Sequence, residues 1–175
     1  VMKVNLGVGL EAHEITSWQV VRAVVLACQE AGAGRVIIGE SPEYGLDHFN
    51  QAGYTAHITG VEYLDFSAAT TPRGIVAVPV SLWPEGEDLI LPQAYLQADV
   101  VISIPKMKTH NVAGVTAGLK NVFGVPPLEL YRSNPGFGWR DIFHNEFGVP
   151  KTITHINLAK PPSLVVVDAI LAGEG

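Results

Sequence analysis

Cysteine is nearly absent from this chain, and its scarcity excludes two kinds of cross-link. Cys28 is the only cysteine among 175 residues, so no disulfide can form within the chain. An iron–sulfur cluster held by cysteines is excluded as well, because such clusters usually take four cysteine ligands. We therefore expect no iron–sulfur cofactor within this chain.

Long apolar runs and positive charge are also scarce. The chain has no apolar run of about 18 residues, which a membrane-spanning helix requires, and no signal peptide is recognisable. We therefore expect a cytoplasmic protein without a membrane partner. Lysine and arginine number 11 against 17 acidic residues, which gives a net charge of −6. A general nucleic-acid binder should instead carry a basic surface, so nucleic acid is not an expected partner.

Several familiar cofactor and catalytic motifs are missing. The glycine-containing segments 7–9 and 32–34 match neither a dinucleotide-binding fingerprint nor a phosphate-binding P-loop. No serine lies in a Gly-x-Ser-x-Gly turn. No two histidines have the His-x-x-x-His spacing of a zinc site. Any chemistry must therefore come from a less familiar arrangement of side chains.

Hydrophobic residues, by contrast, are abundant. They make up 47% of the chain, against 16% charged residues, which is typical of a globular protein with a well-filled core. The length fits one domain, and we assign residues 1–175 to it. The alternative is a fragment of a longer chain, because the first residue is Val1 and residues 173–175 resemble the middle of a loop.

Helical patterns alternate with runs of β-branched residues, which is typical of an α/β fold with a mainly parallel sheet flanked by helices. The middle differs, because the strands at 74–80 and 89–91 flank a turn-rich segment at 83–88 and indicate an antiparallel hairpin or edge. The other predicted strands cover 1–8, 35–39, 61–66, 99–104 and 163–167. The predicted helices cover 17–31, 46–51, 92–97, 112–123, 139–147 and 149–158, and residues 124–138 form a long loop.

The most informative segment, residues 104–110, follows the most apolar predicted strand. If that strand continues, Lys106, Lys108 and His110 project to one face, because side chains alternate along a strand. Charge at the end of a buried strand is costly unless it is paired or used. We expect this cluster, with Thr109, to bind a phosphate or carboxylate, and His110 to act as a general acid or base. The alternative is a solvated loop with chance lysines.

Polar residues also follow the other predicted strands. Asn5, Glu40, Ser41 and Asp168 each lie at a carboxyl end, where open α/β sheets bind ligands. Glu40 and Asp168 are candidates for a base, a metal ligand or a ribose ligand. For both, the alternative is a helix cap or a salt bridge to a lysine. Lys120 is either a further anion ligand or a cation that favours a helix C-terminus.

Residues 98–110 and 114–124 resemble the DUF362 family. They contain Pro-Lys-Met-Lys-Thr-His and Gly-Leu-Lys-Asn-Val-Phe-Gly, which are similar to that family's Pro-Lys-x-Lys-Thr-His and Gly-x-Lys-Asn-x-x-Gly motifs. Segments 3–5, 39–41, 167–170 and 173–175 resemble further family motifs, although Val4 replaces a proline. The resemblance covers nearly the whole chain and adds Asn121 to the candidate ligand-binding residues. Family members are sometimes joined to 4Fe–4S modules, which implies an iron–sulfur or redox partner outside this chain.

Three hypotheses for function remain open at this stage. The first is an enzyme-like domain that binds a small anionic molecule at the strand ends. The second is a non-catalytic interaction module of a redox system, with an exposed apolar patch at Phe137, Trp139 and Phe143. The third is a domain that binds a divalent metal through Glu40, Asp168 and Glu174.

Overall fold

The described residues form ten short strands and six short or medium α-helices. The structure is a computed structural model that describes residues 1–7, 9–41, 45–67, 74–80, 87–137 and 139–174. The strands are β1 (Met2–Lys3), β2 (Ile37–Glu40), β3 (Glu62–Asp65), β4 (Ile75–Val78), β5 (Leu89–Pro92), β6 (Ile102–Ser103), β7 (Lys106–His110), β8 (Gly114–Thr116), β9 (Leu164–Val165) and β10 (Asp168–Gly173). The α-helices are α1 (Trp18–Glu30), α2 (Asp47–Gln51), α3 (Tyr54–His57), α4 (Gln93–Leu96), α5 (Gly118–Asn121) and α6 (Val149–Ala159).

The main sheet has five parallel strands in the order β3-β2-β1-β6-β9. The chain builds outward from β1 to β2 and β3 on one side, and later places β6 and β9 on the other. The direction of winding therefore changes between β1 and β6, and such switch points commonly hold ligands beyond the carboxyl ends of the strands. The predicted parallel α/β sheet is confirmed.

Two smaller sheets accompany the main one. β4 and β5 pair antiparallel, with Ile75 opposite Pro92 and Val78 opposite Leu89. This confirms the predicted antiparallel hairpin, and most of its connecting turn lies outside the described residues. β7 pairs parallel with β10 and antiparallel with β8, which makes a third sheet in the order β10-β7-β8.

The helices follow local sequence signals. Ser17 caps α1, because its side chain accepts a hydrogen bond from the Gln19 N–H at 3.2 Å. Val21 and Val25 then bury one face of this helix. A π-helix covers Phe143–Phe147, and 3₁₀ turns cover Val122–Gly124 and Leu128–Leu130. Among the described residues, no helix is long and apolar enough to cross a membrane.

The core has two parts, one on each face of the main sheet. Ile37 belongs to one cluster and Ile38 to the other, because consecutive strand residues point to opposite faces. Phe66 fills the space beside β2, where a Cβ on Gly39 would lie 2.0 Å from its ring. This packing fixes the position of β2, and Glu40 lies at the carboxyl end of that strand.

The region after the apolar strand differs from the prediction. The helix predicted at 112–123 is wrong in its first half, which forms a turn and β8, and only Gly118–Asn121 is α-helical. Gly114 has a φ of 75°, which allows the tight turn from β7 into β8. Pro105 separates β6 from β7, because proline has no N–H for a sheet hydrogen bond. The basic segment therefore belongs to a separate sheet.

Candidate functional site

A cavity of about 230 Å³ lies at the carboxyl ends of β1 and β2, beside the switch point of the main sheet. Its charged lining consists of four cations and one carboxylate: Lys3, Lys108, Lys120, Arg140 and Glu40. Four positive charges less one negative charge leave three uncompensated. A protein with a net charge of −6 has therefore gathered positive charge at one place.

A larger cavity of about 530 Å³ lies at the opposite, amino ends of β1 and β2. Its lining is mainly apolar or small, and Arg35 and Asp99 supply its charged side chains. Ligands of open α/β sheets bind beyond the carboxyl ends of the strands. We therefore take the smaller, charged cavity as the candidate site.

Lys3 and Glu40 form a buried ion pair at the floor of this cavity. Lys3 Nζ lies 2.7 Å from Glu40 Oε1 and also donates to the Val4 carbonyl at 2.6 Å. Glu40 accepts further hydrogen bonds from the N–H groups of Leu6 and Ser41, at 3.0 and 2.9 Å. Burial lowers the pKa of Lys3, although Glu40 opposes that shift. Contacts with Lys3, Leu6 and Ser41 thus hold the Glu40 carboxylate in place in a structural role.

Lys108 reaches the cavity from β7. Its Nζ donates to the Glu14 carbonyl at 2.8 Å, which leaves other ammonium hydrogens for a ligand. The same Nζ would lie 3.3 Å from a Cβ on Gly7, so a larger residue there would crowd the lysine. Burial has the largest effect and lowers the pKa of Lys108. Nearby charged groups shift this pKa by smaller amounts in opposing directions.

Lys120 is the least compensated cation of the site. It comes from α5, and its Nζ lies 4.2 Å from the centre of the Phe123 ring in a cation–π contact. No carboxylate among the described residues forms an ion pair with it. Burial, and then the positive charges of Lys3 and Arg140, lower the pKa of Lys120 to about 7. An ammonium with these neighbours would gain stability from a bound anion.

Arg140 is buried at the edge of the cavity. Its Nε donates to the Pro126 carbonyl at 2.8 Å and its Nη2 to the Gly124 carbonyl at 3.1 Å. These bonds fix the plane of the guanidinium group. Burial lowers the pKa of Arg140 to about 10, so the group stays positive at neutral pH. No described residue bonds to Nη1, which remains for a ligand.

Polar uncharged groups complete the lining. Asn5 Oδ1 is buried without a hydrogen-bond partner, while Asn5 Nδ2 lies 3.5 Å from Asn121 Oδ1. Ser41 lines the cavity and lies 3.5 Å from the Pro126 carbonyl. A buried acceptor favours a hydrogen-bond donor beside it, so Asn5 Oδ1 is a candidate contact for a ligand.

His110 and His144 stand together at the cavity. His110 ends β7, and His144 lies in the π-helix, with ring centroids 6.5 Å apart. His110 was a predicted site residue, whereas His144 was not. Lys3 and Arg140 were also missed. Arg140 and His144 lie outside any recognised motif, so no sequence signal singled them out, whereas Lys3 belongs to segment 3–5, which resembles a family motif.

Lys106 and Asp168 do not line the cavity. They form a second buried ion pair, with Lys106 Nζ 3.0 Å from Asp168 Oδ2. Asp168 also accepts the N–H of Ser17 at 2.7 Å, which ties β10 to the start of α1. The expected convergence of the three basic side chains therefore holds for Lys108 and His110 but not for Lys106. Asp168 thus forms a salt bridge, which was the alternative prediction for it. Thr109 is exposed and does not line the cavity.

Comparison with known proteins assigns the family. A family model described as "Domain of unknown function (DUF362)" matches residues 1–175. The chain belongs to the DUF362 family. A curated relative, a thylakoid-associated protein of Synechocystis sp., is 31% identical over 161 residues, which are 92% of this chain and 47% of the relative. This DUF362 chain therefore spans about half the length of that relative.

A solved structure supports the fold assignment. The apoprotein of lactate racemase from Thermoanaerobacterium thermosaccharolyticum matches with a TM-score of 0.59 and 14% sequence identity. The match covers 89% of the DUF362 chain and 40% of the racemase chain. At this identity the likeness concerns the α/β fold.

The second DUF362 motif, residues 118–124, has a structural explanation. A Cβ on Gly118 would lie 2.8 Å from Val165, and one on Gly124 would lie 3.0 Å from Glu40 Oε1. Asn121 donates to the Lys3 carbonyl at 2.9 Å and to Ser103 Oγ at 3.0 Å, which ties α5 to β1 and β6. The motif thus holds its remaining polar residue, Lys120, at the switch point.

The residues of the chain do not fit an iron–sulfur cluster. The single cysteine, Cys28 in α1, is too few, because such a cluster usually takes four cysteine ligands. Among the described residues, no group of three His, Cys, Asp or Glu side chains is placed to hold a metal ion. Glu40 and Asp168 are each paired with a lysine instead, and Glu174 is exposed.

The apolar patch of the interaction-module hypothesis is smaller than expected. Phe137 and Trp139 are 37% and 42% exposed and lie 5.9 Å apart between ring centroids. Phe143, however, is fully buried and packs against Phe123 and Tyr131. Two exposed aromatic residues do not make a large docking surface.

Proposed function

We propose that this DUF362 domain binds a small anion, a carboxylate or a phosphate, in the cavity at the carboxyl ends of β1 and β2. The observation that carries the proposal is the charge imbalance of the lining. Lys3 is neutralised by Glu40, whereas no carboxylate in the described part of the chain pairs with Lys108, Lys120 or Arg140. Gathering three such cations is unfavourable unless an anion joins them.

Each of the three cations retains bonding capacity toward the cavity. Lys108 uses one ammonium hydrogen on the Glu14 carbonyl, and Arg140 uses Nε and Nη2 on two carbonyls. Lys120 makes a cation–π contact in place of hydrogen bonds. Their donors come from β7, α5 and the segment before the π-helix, so they approach the cavity from different directions. This arrangement suits an anion with several acceptor oxygens.

Lys120 is the group whose replacement tests the proposal best. Lys120→Met removes the charge and keeps most of the side-chain length, and its half-buried position makes a folding defect small. A charge-assisted hydrogen bond contributes about 1.5–3 kcal/mol, so affinity should fall about tenfold or more. Lys151→Met is the matched control, because Lys151 is exposed on α6 and lies outside the lining.

The measurement is isothermal calorimetry with sulfate, phosphate, acetate and lactate at constant ionic strength. Constant ionic strength separates binding from general screening. Lactate is included because the structural neighbour is named for it. We expect saturable binding of at least one anion to the wild type and to Lys151→Met, and loss of affinity in Lys120→Met. Absence of saturable binding, or equal affinity in both variants, would contradict the proposal.

A further inference from the structure

His110 and His144 line the cavity beside the cations. Their ring centroids are 6.5 Å apart and their planes differ by 19°. Each ring is bonded through Nδ1, and no described residue bonds to either Nε2 atom. The hydrogen-bonding character of the two Nε2 atoms follows from those Nδ1 bonds.

His110 presents a donor. Its Nδ1 accepts hydrogen bonds from the N–H groups of Val112 at 3.2 Å and Ala113 at 3.1 Å. An atom that accepts two N–H groups carries no proton, so the ring proton lies on Nε2. Burial, and then the charge of Lys120, lower the pKa of His110 to about 4, which keeps this neutral tautomer at neutral pH.

His144 presents an acceptor. Its Nδ1 lies 2.8 Å from the Arg140 carbonyl, which can only accept, so Nδ1 carries the proton. In the neutral ring, Nε2 then has a free lone pair. Phe123 and Trp139 contact this ring edge-on, at interplanar angles of 82° and 77°, and hold its orientation.

A hydrogen-bond donor beside a hydrogen-bond acceptor suits a ligand group that can both accept and donate. Ionised carboxylate and phosphate oxygens only accept and an ammonium only donates, whereas a hydroxyl group does both. Two hydrogen bonds of about 2.8 Å that meet at a bent angle on one hydroxyl oxygen separate their nitrogens by about 4.5 Å. Two rings whose centroids are 6.5 Å apart can supply nitrogens at that separation. A second anionic oxygen would satisfy His110 but not His144.

Building on the proposed anion binding, we infer that the anion carries a hydroxyl group, which accepts from His110 Nε2 and donates to His144 Nε2. The ligand class is therefore a small hydroxylated carboxylate or phosphate. The charged end lies toward Lys108, Lys120 and Arg140, and the hydroxyl end lies between the two imidazoles. The cations thus bind the charged group of the ligand, and the two histidines bind its hydroxyl group.

The test compares matched pairs of ligands that differ only in the hydroxyl group. Lactate is compared with propanoate, and 2-hydroxyethyl phosphate with ethyl phosphate, so the two anion sources are distinguished. We expect the hydroxylated member of at least one pair to bind about tenfold more tightly in calorimetric titrations at constant ionic strength, because a built hydroxyl site leaves polar groups unpaired with the other member.

Variants of the two histidines separate this inference from a structural role. In His110→Asn and His144→Asn the amide can replace the bonds made by Nδ1, while the Nε2 atom is lost. Each should lower the affinity ratio, because each removes one of the two bonds to the hydroxyl group. His110→Gln and His144→Gln place an amide near the Nε2 position and should restore part of the ratio.

Three outcomes would overturn the inference. If both members of each pair bind equally and Lys120→Met weakens both, anion binding stands and the hydroxyl site is wrong. If the ratio is large but unchanged in both asparagine variants, the hydroxyl group is recognised elsewhere. If no ligand binds at constant ionic strength, the proposed function fails and the hydroxyl site with it.

Discussion

The buried ion pair between Lys106 and Asp168 should contribute to stability and not to binding in the cavity, and one substitution tests this. Asp168→Asn removes the carboxylate charge and keeps the shape of the side chain. The amide oxygen can still accept the Ser17 N–H, but Lys106 loses its counter-ion. Because both side chains of the pair are at most 1% exposed, water cannot replace the lost partner.

The expected cost follows from this burial. Removing one partner of a buried ion pair typically destabilises a protein by about 3–5 kcal/mol. An unpaired buried lysine can instead release its proton. For a solvated lysine at pH 7 this release costs about 5 kcal/mol, which is an upper limit on the expected loss of stability. We expect Asp168→Asn to lower the free energy of unfolding by about 3–5 kcal/mol, and Tm by roughly 10 °C.

Urea unfolding followed by circular dichroism measures this cost. Glu62→Gln is the matched control, because it makes the same acid-to-amide change in the ion pair with Arg35, whose side chains are 42% and 40% exposed. That exposed pair should contribute about 1 kcal/mol or less. The double variant Lys106→Met/Asp168→Asn should recover part of the loss, since no unpaired buried charge remains.

Sulfate binding supplies a second measurement on the same variants. Lys106 and Asp168 lie outside the cavity, so Asp168→Asn should bind sulfate like the wild type at a temperature where it is folded. A loss of stability below about 1 kcal/mol would refute the structural role of the pair. Loss of sulfate binding in a stable variant would place the pair in the site.

Three further predictions concern single positions. Raising the pH from 6 to 8 should weaken sulfate binding about tenfold in calorimetry, because the pKa of Lys120 is about 7 and its protonated form holds the anion. A flat profile would contradict this role. Gly39→Ala should destabilise the protein by about 1–3 kcal/mol in urea unfolding, since the new Cβ would meet the Phe66 ring. Gly34→Ala has open space and should change stability by less than about 1 kcal/mol, so equal effects would be inconsistent with this packing. Asn121→Ala should lower the unfolding free energy by about 1–3 kcal/mol by leaving buried partners unsatisfied. A loss below about 0.5 kcal/mol would argue against that anchoring role.

Local patterns were sufficient for much of the fold. An N-cap at Thr16 or Ser17 and the helical spacing of Val21 and Val25 predict α1, because capping and one-sided burial act within a few residues. The structure places the cap at Ser17. The apolar runs of β2 and β3 predict a buried parallel sheet for the same kind of reason. The hairpin of β4 and β5 was also predictable, since its two strands are close in sequence.

Long-range pairing explains where prediction failed. The segment 112–123 has helical spacing, but β8 within it pairs with β7, so Val115 lies opposite Thr109. The hydrogen bonds of that pairing override a weak helix preference. Likewise, nothing local distinguishes Lys106 from Lys108, and only the position of Asp168 on β10 decides that Lys106 is neutralised.

The amino-acid sequence alone is enough to predict the α/β class and to recognise the DUF362 motifs, because strand patterns and short motifs are local properties. The division of the charges depends on the folded chain. Folding pairs Lys3 with Glu40 and Lys106 with Asp168, and it gives Lys108 and Lys120 no carboxylate partner among the residues that the structure describes. The physical reason is that an ion pair depends on distances of a few ångströms between side chains far apart in the chain, and folding sets those distances.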